Sequence, residues 1–127
     1  MPRAHPRNVA QILGKEAKKR GRISEARVLE ALALPSRPEW MRAFRMATKE
    51  EDRAGIDVVV ESDVGKLFVQ VKSSRRGKAA FVERRRGARI AVVVVAVTDT
   101  PEAVLRKIVG ELAKIRAEYV KERRGAG

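Results

Sequence analysis

The stretch GIDVVVESDVGKLFVQVKSS, residues 55–74, predicts a β-hairpin, because two valine-rich runs flank a polar segment that contains a glycine. Side chains alternate between the two faces of a strand. Pairing Glu61 with Lys66 across the loop SDVG places six aliphatic side chains on one face: Ile56, Val58, Val60, Leu67, Val69 and Val71. Since burial penalises a slip by one residue, we expect this register.

The same register predicts that three polar residues meet on the opposite face. Asp57 falls opposite Gln70, and Lys72 lies one step further along that face. One interpretation is the solvent-exposed face of an antiparallel hairpin. The other is a functional site, because the residues SSRRGK follow Lys72 directly and the carboxylates of EEDRAG precede Asp57.

The composition predicts one basic domain. A chain of 127 residues can form one core, and we expect a flexible basic tail over residues 1–8, a single domain over 9–122 and a flexible tail over 123–127. The chain has 29 Lys and Arg against 16 Asp and Glu, a net charge of +13 that indicates a polyanionic partner. No apolar stretch reaches the roughly 20 residues of a membrane-spanning helix. With no cysteine and no apolar leader, we expect a cytoplasmic protein without a membrane partner.

The remaining segments predict helices around the hairpin and one more strand. Residues 9–34 have a helical pattern that ends at Pro35 and fits either two helices or one helix with a weak joint near Gly21. Residues 39–54 fit a helix or a strand, and the alternation from Trp40 to Met46 favours the strand. Residues 90–97 predict a strand buried on both faces. Thr100 is a predicted N-cap of a last helix, whose apolar seam would pack on the sheet or form a dimer contact: Leu105, Ile108, Leu112, Ile115 and Tyr119.

Two short segments resemble the signature of the PD-(D/E)xK, or restriction-endonuclease-like, nuclease superfamily. They are GID, with Asp57, and QVK, with Gln70 and Lys72. The upstream segment GRISEARVLEAL resembles the helix from which that family takes a further carboxylate, with Glu25 the better match and Glu30 the poorer one. The sequence departs from the family pattern at Gln70, where Glu or Asp is commoner.

The resemblance covers roughly residues 20–115 and looks most like small Holliday-junction resolvases and Gln-containing Mrr-type nucleases. It implies an α/β fold with a restriction-endonuclease-like αβββ(α)βα core, in which helices flank a mixed central sheet. It also implies hydrolysis of DNA phosphodiester bonds, in duplex or branched DNA, with Mg²⁺ or Mn²⁺ as the cofactor. Because a cut through both strands calls for two active sites, we expect a homodimer. The connection over residues 75–89 is short and basic for the helix that often follows in this family.

The resemblance also implies roles for individual residues. The metal ligands would be Asp57, Glu25, Gln70 and the carbonyl of Val71. Lys72 would orient or deprotonate the attacking water, and Asp52 would support the site from outside the ligand set. The DNA backbone would be contacted by the residues after the hairpin, which are Ser73, Ser74, Arg75, Arg76, Lys78, Arg84, Arg85 and Arg86.

Two other functions fit the same residues. The first is a nucleic-acid-binding module without catalysis, because Gln70 removes one carboxylate from the site. The second is a basic protein associated with RNA or the ribosome, in which the meeting of Asp57, Gln70 and Lys72 is a coincidence.

Overall fold

A four-stranded mixed sheet and its flanking helices form an α/β fold in the computed structural model, which describes residues 25–73 and 89–126. Residues 25–32 are helical and are called α1. The other elements are β1 (Met41–Met46), α2 (Lys49–Arg53), β2 (Val58–Ser62), β3 (Gly65–Lys72), β4 (Ile90–Val94) and α3 (Pro101–Ala126). The predicted tail over residues 1–8 and most of the helical pattern over 9–34 lie outside the described residues.

The strands are ordered β1-β2-β3-β4 in the sheet. β1 and β3 each pair antiparallel with β2, whereas β3 and β4 are parallel. The strand favoured for residues 40–46 is therefore confirmed as β1, and the predicted hairpin is β2–β3. Its predicted register is also confirmed, because Glu61 pairs with Lys66.

The hairpin turn is shorter than the predicted four-residue loop. Ser62 pairs with Gly65, so the turn consists of Asp63 and Val64 alone. The Ser62 hydroxyl donates to the Gly65 carbonyl at 2.7 Å and accepts the Val64 N–H at 3.2 Å. Gly65 has a φ of 111°, a conformation that glycine adopts without the steric cost of a Cβ. Ser62 and Gly65 therefore allow the hairpin to close with a turn of only two residues.

One face of the sheet packs against α1 and α3. The aliphatic face predicted for the hairpin contributes Val58, Val60, Leu67, Val69 and Val71 to this core, and Ile56 is buried as well. The apolar seam of α3 packs on the sheet, as the first of its two interpretations predicted, with three residues buried and two partly buried: Leu105, Ile108, Leu112, Ile115 and Tyr119. α3 continues through residues 123–126, which were expected to form a tail. Among the described helices, none is both long and apolar enough to cross a membrane.

The second face of the sheet is also buried near its centre. Val59 is 0% exposed, Val92 is 4% exposed and Gln70 is 8% exposed. β4 is therefore buried on both faces, as predicted, since Ala91 and Val93 belong to the core on the other side. The strand ends at Val94, short of the predicted end at residue 97, and Val97 is exposed. The interpretation of this face as solvent-exposed is wrong at Gln70.

α3 runs along the sheet from one end of the hairpin to the other. It follows the turn after β4, close to the end of β3, where the Val95 N–H donates to the Lys72 carbonyl at 2.9 Å. Thr100 caps the helix as predicted, because its hydroxyl accepts the Ala103 N–H at 3.1 Å. Near the other end of α3, Arg123 donates to the Val64 carbonyl in the hairpin turn at 3.0 Å.

Candidate active site

Asp57 lies directly before β2, at the open end of the hairpin. The β2–β3 ladder ends at the pair Val58–Val69, so the predicted cross-strand pair of Asp57 with Gln70 is not formed. Instead, the Asp57 N–H donates to the Val69 carbonyl at 2.8 Å, and its carbonyl accepts the Ala47 N–H at 3.0 Å. The regular ladder ends here, because the Asp57 side chain, rather than a backbone carbonyl of β2, accepts the next N–H of β3, that of Val71.

The Asp57 carboxylate is held by the backbone of β3. Its Oδ2 atom accepts the Val71 N–H at 2.7 Å. Within the described part of the chain, its other oxygen, Oδ1, accepts no hydrogen bond. The carboxylate is therefore fixed through one oxygen and has a second one available to a ligand.

Opposing effects act on the pKa of Asp57. Partial burial raises the pKa, because desolvation disfavours the charged form, and the Val71 N–H lowers it. The charge of Asp52 raises the pKa further and the charge of Lys72 lowers it, with a net shift above the ordinary value. A cation beside Oδ1 would favour the charged form in the same way as Lys72 does.

Gln70 lies in the middle of the sheet, opposite Val92 of β4. Its side-chain oxygen Oε1 is buried and has no hydrogen-bond partner among the described residues. An unsatisfied buried acceptor costs about 1–3 kcal/mol, so an atom of this kind in a folded protein needs an explanation. An amide oxygen is also a ligand that Mg²⁺ accepts.

Lys72 ends β3, opposite Val94 of β4, and is half-buried. Its ammonium group is close enough to Asp57 to lower the pKa of that carboxyl. Val71, between Gln70 and Lys72, is buried and uses its N–H to hold Asp57. The structure thus brings Asp57, Val71 and Lys72 to the open end of the hairpin, with Gln70 one residue before Val71.

The other predicted ligands are less closely grouped. Glu25 is half-buried at the start of the described part of α1. Asp52 is exposed on α2, where its carbonyl accepts the Gly55 N–H at 3.0 Å. Across residues 25–73 and 89–126, no three His, Cys, Asp or Glu side chains are grouped closely enough to hold a metal ion. Glu25, Asp52 and Asp57 therefore do not form a three-carboxylate site.

The predicted DNA contacts lie almost entirely outside the described residues. Ser73 is exposed directly after β3. Ser74, Arg75, Arg76, Lys78, Arg84, Arg85 and Arg86 fall within residues 74–88, so their roles stay predictions. In the sequence, residues 74–88 contain six Lys and Arg against one Glu, and residues 1–24 contain seven against one Glu. Most of the excess positive charge therefore belongs to these two segments.

A polar network beside the site was not predicted. Thr48 and Glu51 form a capping box at α2, with the Glu51 N–H donating to the Thr48 hydroxyl and the Thr48 N–H donating to Glu51. Arg45 of β1 binds both Glu51 oxygens, at 2.7 and 3.1 Å, and these contacts lower the pKa of Glu51 to about 2. The spacing of Thr48 and Glu51 in TKEE is the sequence signal that predicts such a cap. The network fixes the connection between β1 and Asp57.

No protein-family model matches the chain, and neither the curated proteins nor the solved structures contain a significant match to it. The fold and site therefore define a class only in general terms, as an α/β domain with a mixed four-stranded sheet. A finer assignment depends on the chemistry of Asp57, Gln70 and Lys72.

Proposed function

We propose that this protein is a metal-dependent DNA endonuclease of the restriction-endonuclease-like class. One observation carries the proposal: Asp57 Oδ1 and Gln70 Oε1 have no hydrogen-bond partner within the described part of the chain, and Lys72 follows Gln70 by two residues in β3. The order of elements supports it, because, apart from the short helix α2 between β1 and β2, a helix, three antiparallel strands, a parallel strand and a helix agree with the core expected for this class.

The donor atoms fit a small oxygen-preferring cation that keeps several of its waters. Asp57 and Gln70 would bind Mg²⁺ or Mn²⁺, and Glu25 and the Val71 carbonyl remain the other proposed ligands. When bound, the metal would polarise the scissile phosphate and lower the pKa of the attacking water. The Val71 N–H keeps the Asp57 carboxylate oriented, because it already occupies Oδ2.

Lys72 would supply the positive charge that the reaction needs. Its ammonium group can donate hydrogen bonds to the attacking water or to a phosphate oxygen and stabilise the negative charge that develops there. Its position at the end of β3 is fixed by the ladder with β4, since the Lys72 carbonyl accepts the Val95 N–H.

The proposed substrate is duplex or branched DNA. Residues 74–88 follow the site directly in the sequence and are rich in arginine, which suits contact with the phosphate backbone. Cutting both strands of a duplex calls for two sites, so we propose a homodimer as the active form.

A non-catalytic DNA-binding module is the second candidate. The observation that favours it is the neutral Gln70 at a position where the nuclease family more often has a carboxylate, together with the lack of a three-carboxylate group in the described residues. Such a module would keep the basic segments and bind DNA without cutting it.

A cleavage assay with matched variants separates the two candidates. Branched, duplex and single-stranded DNA are incubated with the protein in Mg²⁺ or Mn²⁺. Asp57→Asn and Lys72→Ala should each lower the cleavage rate by roughly 10²–10⁴-fold, because each removes a group that acts in the reaction. The controls are Glu39→Gln and Lys114→Ala, which remove the same charges at exposed positions away from the site and should leave the rate unchanged.

Each outcome of this assay decides between the candidates. DNA binding without cleavage under either metal would favour the non-catalytic module. Cleavage that survives both Asp57→Asn and Lys72→Ala would refute the assigned site. Thermal unfolding of each variant, followed by circular dichroism, shows whether a loss of cleavage reflects a loss of folding.

A further inference from the structure

Four cationic side chains surround the turn of the β2–β3 hairpin, and we call them the tip cluster: Arg42, Lys66, Arg116 and Arg123. Arg116 binds both oxygens of Asp63 in the turn, at 2.9 and 2.5 Å. Arg123 donates to the Val64 carbonyl at 3.0 Å. Arg42 lies close enough to Asp63 to lower the pKa of its carboxyl. Lys66 is the second residue of β3.

The tip cluster presents more positive than negative charge to solvent. Asp63 is engaged through both oxygens by Arg116, which also stacks on Trp40 with its guanidinium carbon 5.3 Å from the ring centre. Arg42, Lys66 and Arg123 are exposed. Glu61 faces Lys66 across the ladder, and Glu118 and Glu122 of α3 are paired with Arg89. Three exposed cations therefore extend from elements whose backbones are fixed by the sheet and α3.

One residue of the tip cluster, Lys66, lies on the same strand as Lys72 of the candidate active site. Lys66 and Lys72 are six residues apart in β3 and share a face, because side chains two apart point the same way. At about 3.3 Å per residue, they are separated by roughly 20 Å. Each strand of duplex DNA has one phosphate per ~3.4 Å of helix axis, so this separation, measured along the axis, corresponds to about six base pairs.

We propose that the tip cluster binds the phosphate backbone of duplex DNA about six base pairs from the bond positioned at Lys72. The position of that bond rests on the proposed function, whereas the contact itself needs none of the catalytic groups. Exposed arginine and lysine side chains on a fixed scaffold suit phosphate contacts that position a duplex without reading its sequence. None of the four residues of the tip cluster belongs to the DNA-contacting residues predicted from the sequence.

Salt-dependent DNA binding tests the contact. Affinity for a duplex of about 30 base pairs, longer than the proposed span, is measured by fluorescence anisotropy in EDTA, so that no cleavage occurs. The double variant Lys66→Ala/Arg123→Ala is compared with Arg106→Ala/Lys114→Ala. Both lower the net charge from +13 to +11, and the control pair lies at exposed positions earlier on α3.

We expect the tip variant to change both the affinity for DNA and the slope of log affinity against log salt concentration. Each lost phosphate contact lowers the slope of log affinity against log salt by about 0.9, so the tip variant should lose about 1.8 and bind on the order of tenfold more weakly at low salt. The control pair should change the slope by less than half as much. Equal changes in the two double variants would overturn the proposal, because they would show only an effect of net charge.

The dependence of affinity on DNA length is a second readout, which tests how far from the scissile bond the tip cluster contacts the DNA. Shortening the arms of a branched substrate from about 12 to about 4 base pairs should weaken binding by the wild-type protein, because the arms no longer reach the tip cluster. The double tip variant should lose this dependence on arm length. If the wild type binds both substrates equally, the proposed position is wrong.

The two proposals fail in different ways. Absence of cleavage combined with the expected slope change would refute the endonuclease and leave the DNA contact in place. Cleavage that depends on Asp57 and Lys72, combined with an unchanged slope in the tip variant, would refute the contact and leave the endonuclease.

Discussion

Replacing Gln70 with methionine should stabilise the metal-free protein. Gln70 is 8% exposed, and its Oε1 atom has no hydrogen-bond partner among the described residues. Methionine has a similar length and no branch at Cβ, and its thioether does not require a hydrogen bond. The substitution therefore removes an unsatisfied acceptor while it fills nearly the same space.

The expected change in unfolding free energy follows from the oxygen and the NH₂ of the Gln70 side chain. An unsatisfied buried acceptor costs about 1–3 kcal/mol, while the loss of one ordinary hydrogen bond from the side-chain NH₂ would cost about 0.5–1.5 kcal/mol. We expect the free energy of unfolding to rise by about 1 kcal/mol. For a chain of 127 residues this corresponds to an increase in Tm of roughly 3–5 °C.

Urea unfolding in EDTA, followed by circular dichroism, measures this difference, and Gln70→Glu is the matched comparison. Glutamate would place a carboxylate at the same buried position, so it should lower the stability in EDTA and regain part of it when Mn²⁺ is added. A loss of 1 kcal/mol or more in Gln70→Met would refute the reasoning, because it would show that Oε1 already has a partner in the metal-free protein.

Three further predictions concern the scaffold. Ile108→Ala should lower the unfolding free energy by about 2–5 kcal/mol in urea unfolding, because Ile108 is fully buried, whereas Val97→Ala at a 77% exposed position should change it by less than about 0.5 kcal/mol. Gly65→Ala should cost about 1–3 kcal/mol in thermal unfolding through its φ of 111° alone, since an added Cβ meets no atom within 4 Å, and an unchanged Tm would contradict this. Glu51 has a pKa lowered from 4.5 to about 2 on folding. Its contribution to the free energy of unfolding is therefore present above pH ~4.5 and lost towards pH 2. The stability difference between wild type and Glu51→Gln should shrink over that range in acid titrations, and a constant difference would contradict the shift.

The register of the hairpin could be predicted because alternation and burial determine it together. A slip by one residue would move Val58, Val60 and Val69 out of the core, and the structure shows the expected pairing. The same reasoning fails at Asp57, where the alternating run begins. There the carboxylate binds the Val71 N–H in place of a ladder contact, and residue periodicity contains no information about that choice.

The turn and the tip cluster show two further limits. Hydrophobic alternation determines which residues pair but not how the chain closes between them, so the contribution of Ser62 to a two-residue turn was missed. Arg116 meets Asp63 across 53 residues of sequence. A basic run is visible in the sequence, whereas separate cations that meet only after folding are not.

Because Gln70 is neutral, the proposed metal site has less negative charge to attract a divalent cation. Asp57 supplies one negative charge, Lys72 opposes it nearby, and the chain as a whole has a net charge of +13. A divalent cation would therefore gain little electrostatic attraction from the protein alone. On the proposed function, a DNA phosphate would bring both the missing negative charge and further oxygen ligands. Metal and DNA would then strengthen each other's binding by the same factor, as linkage requires. The tip cluster fits this scheme because its proposed contact with DNA would need no metal, so the DNA could bind first and complete the site.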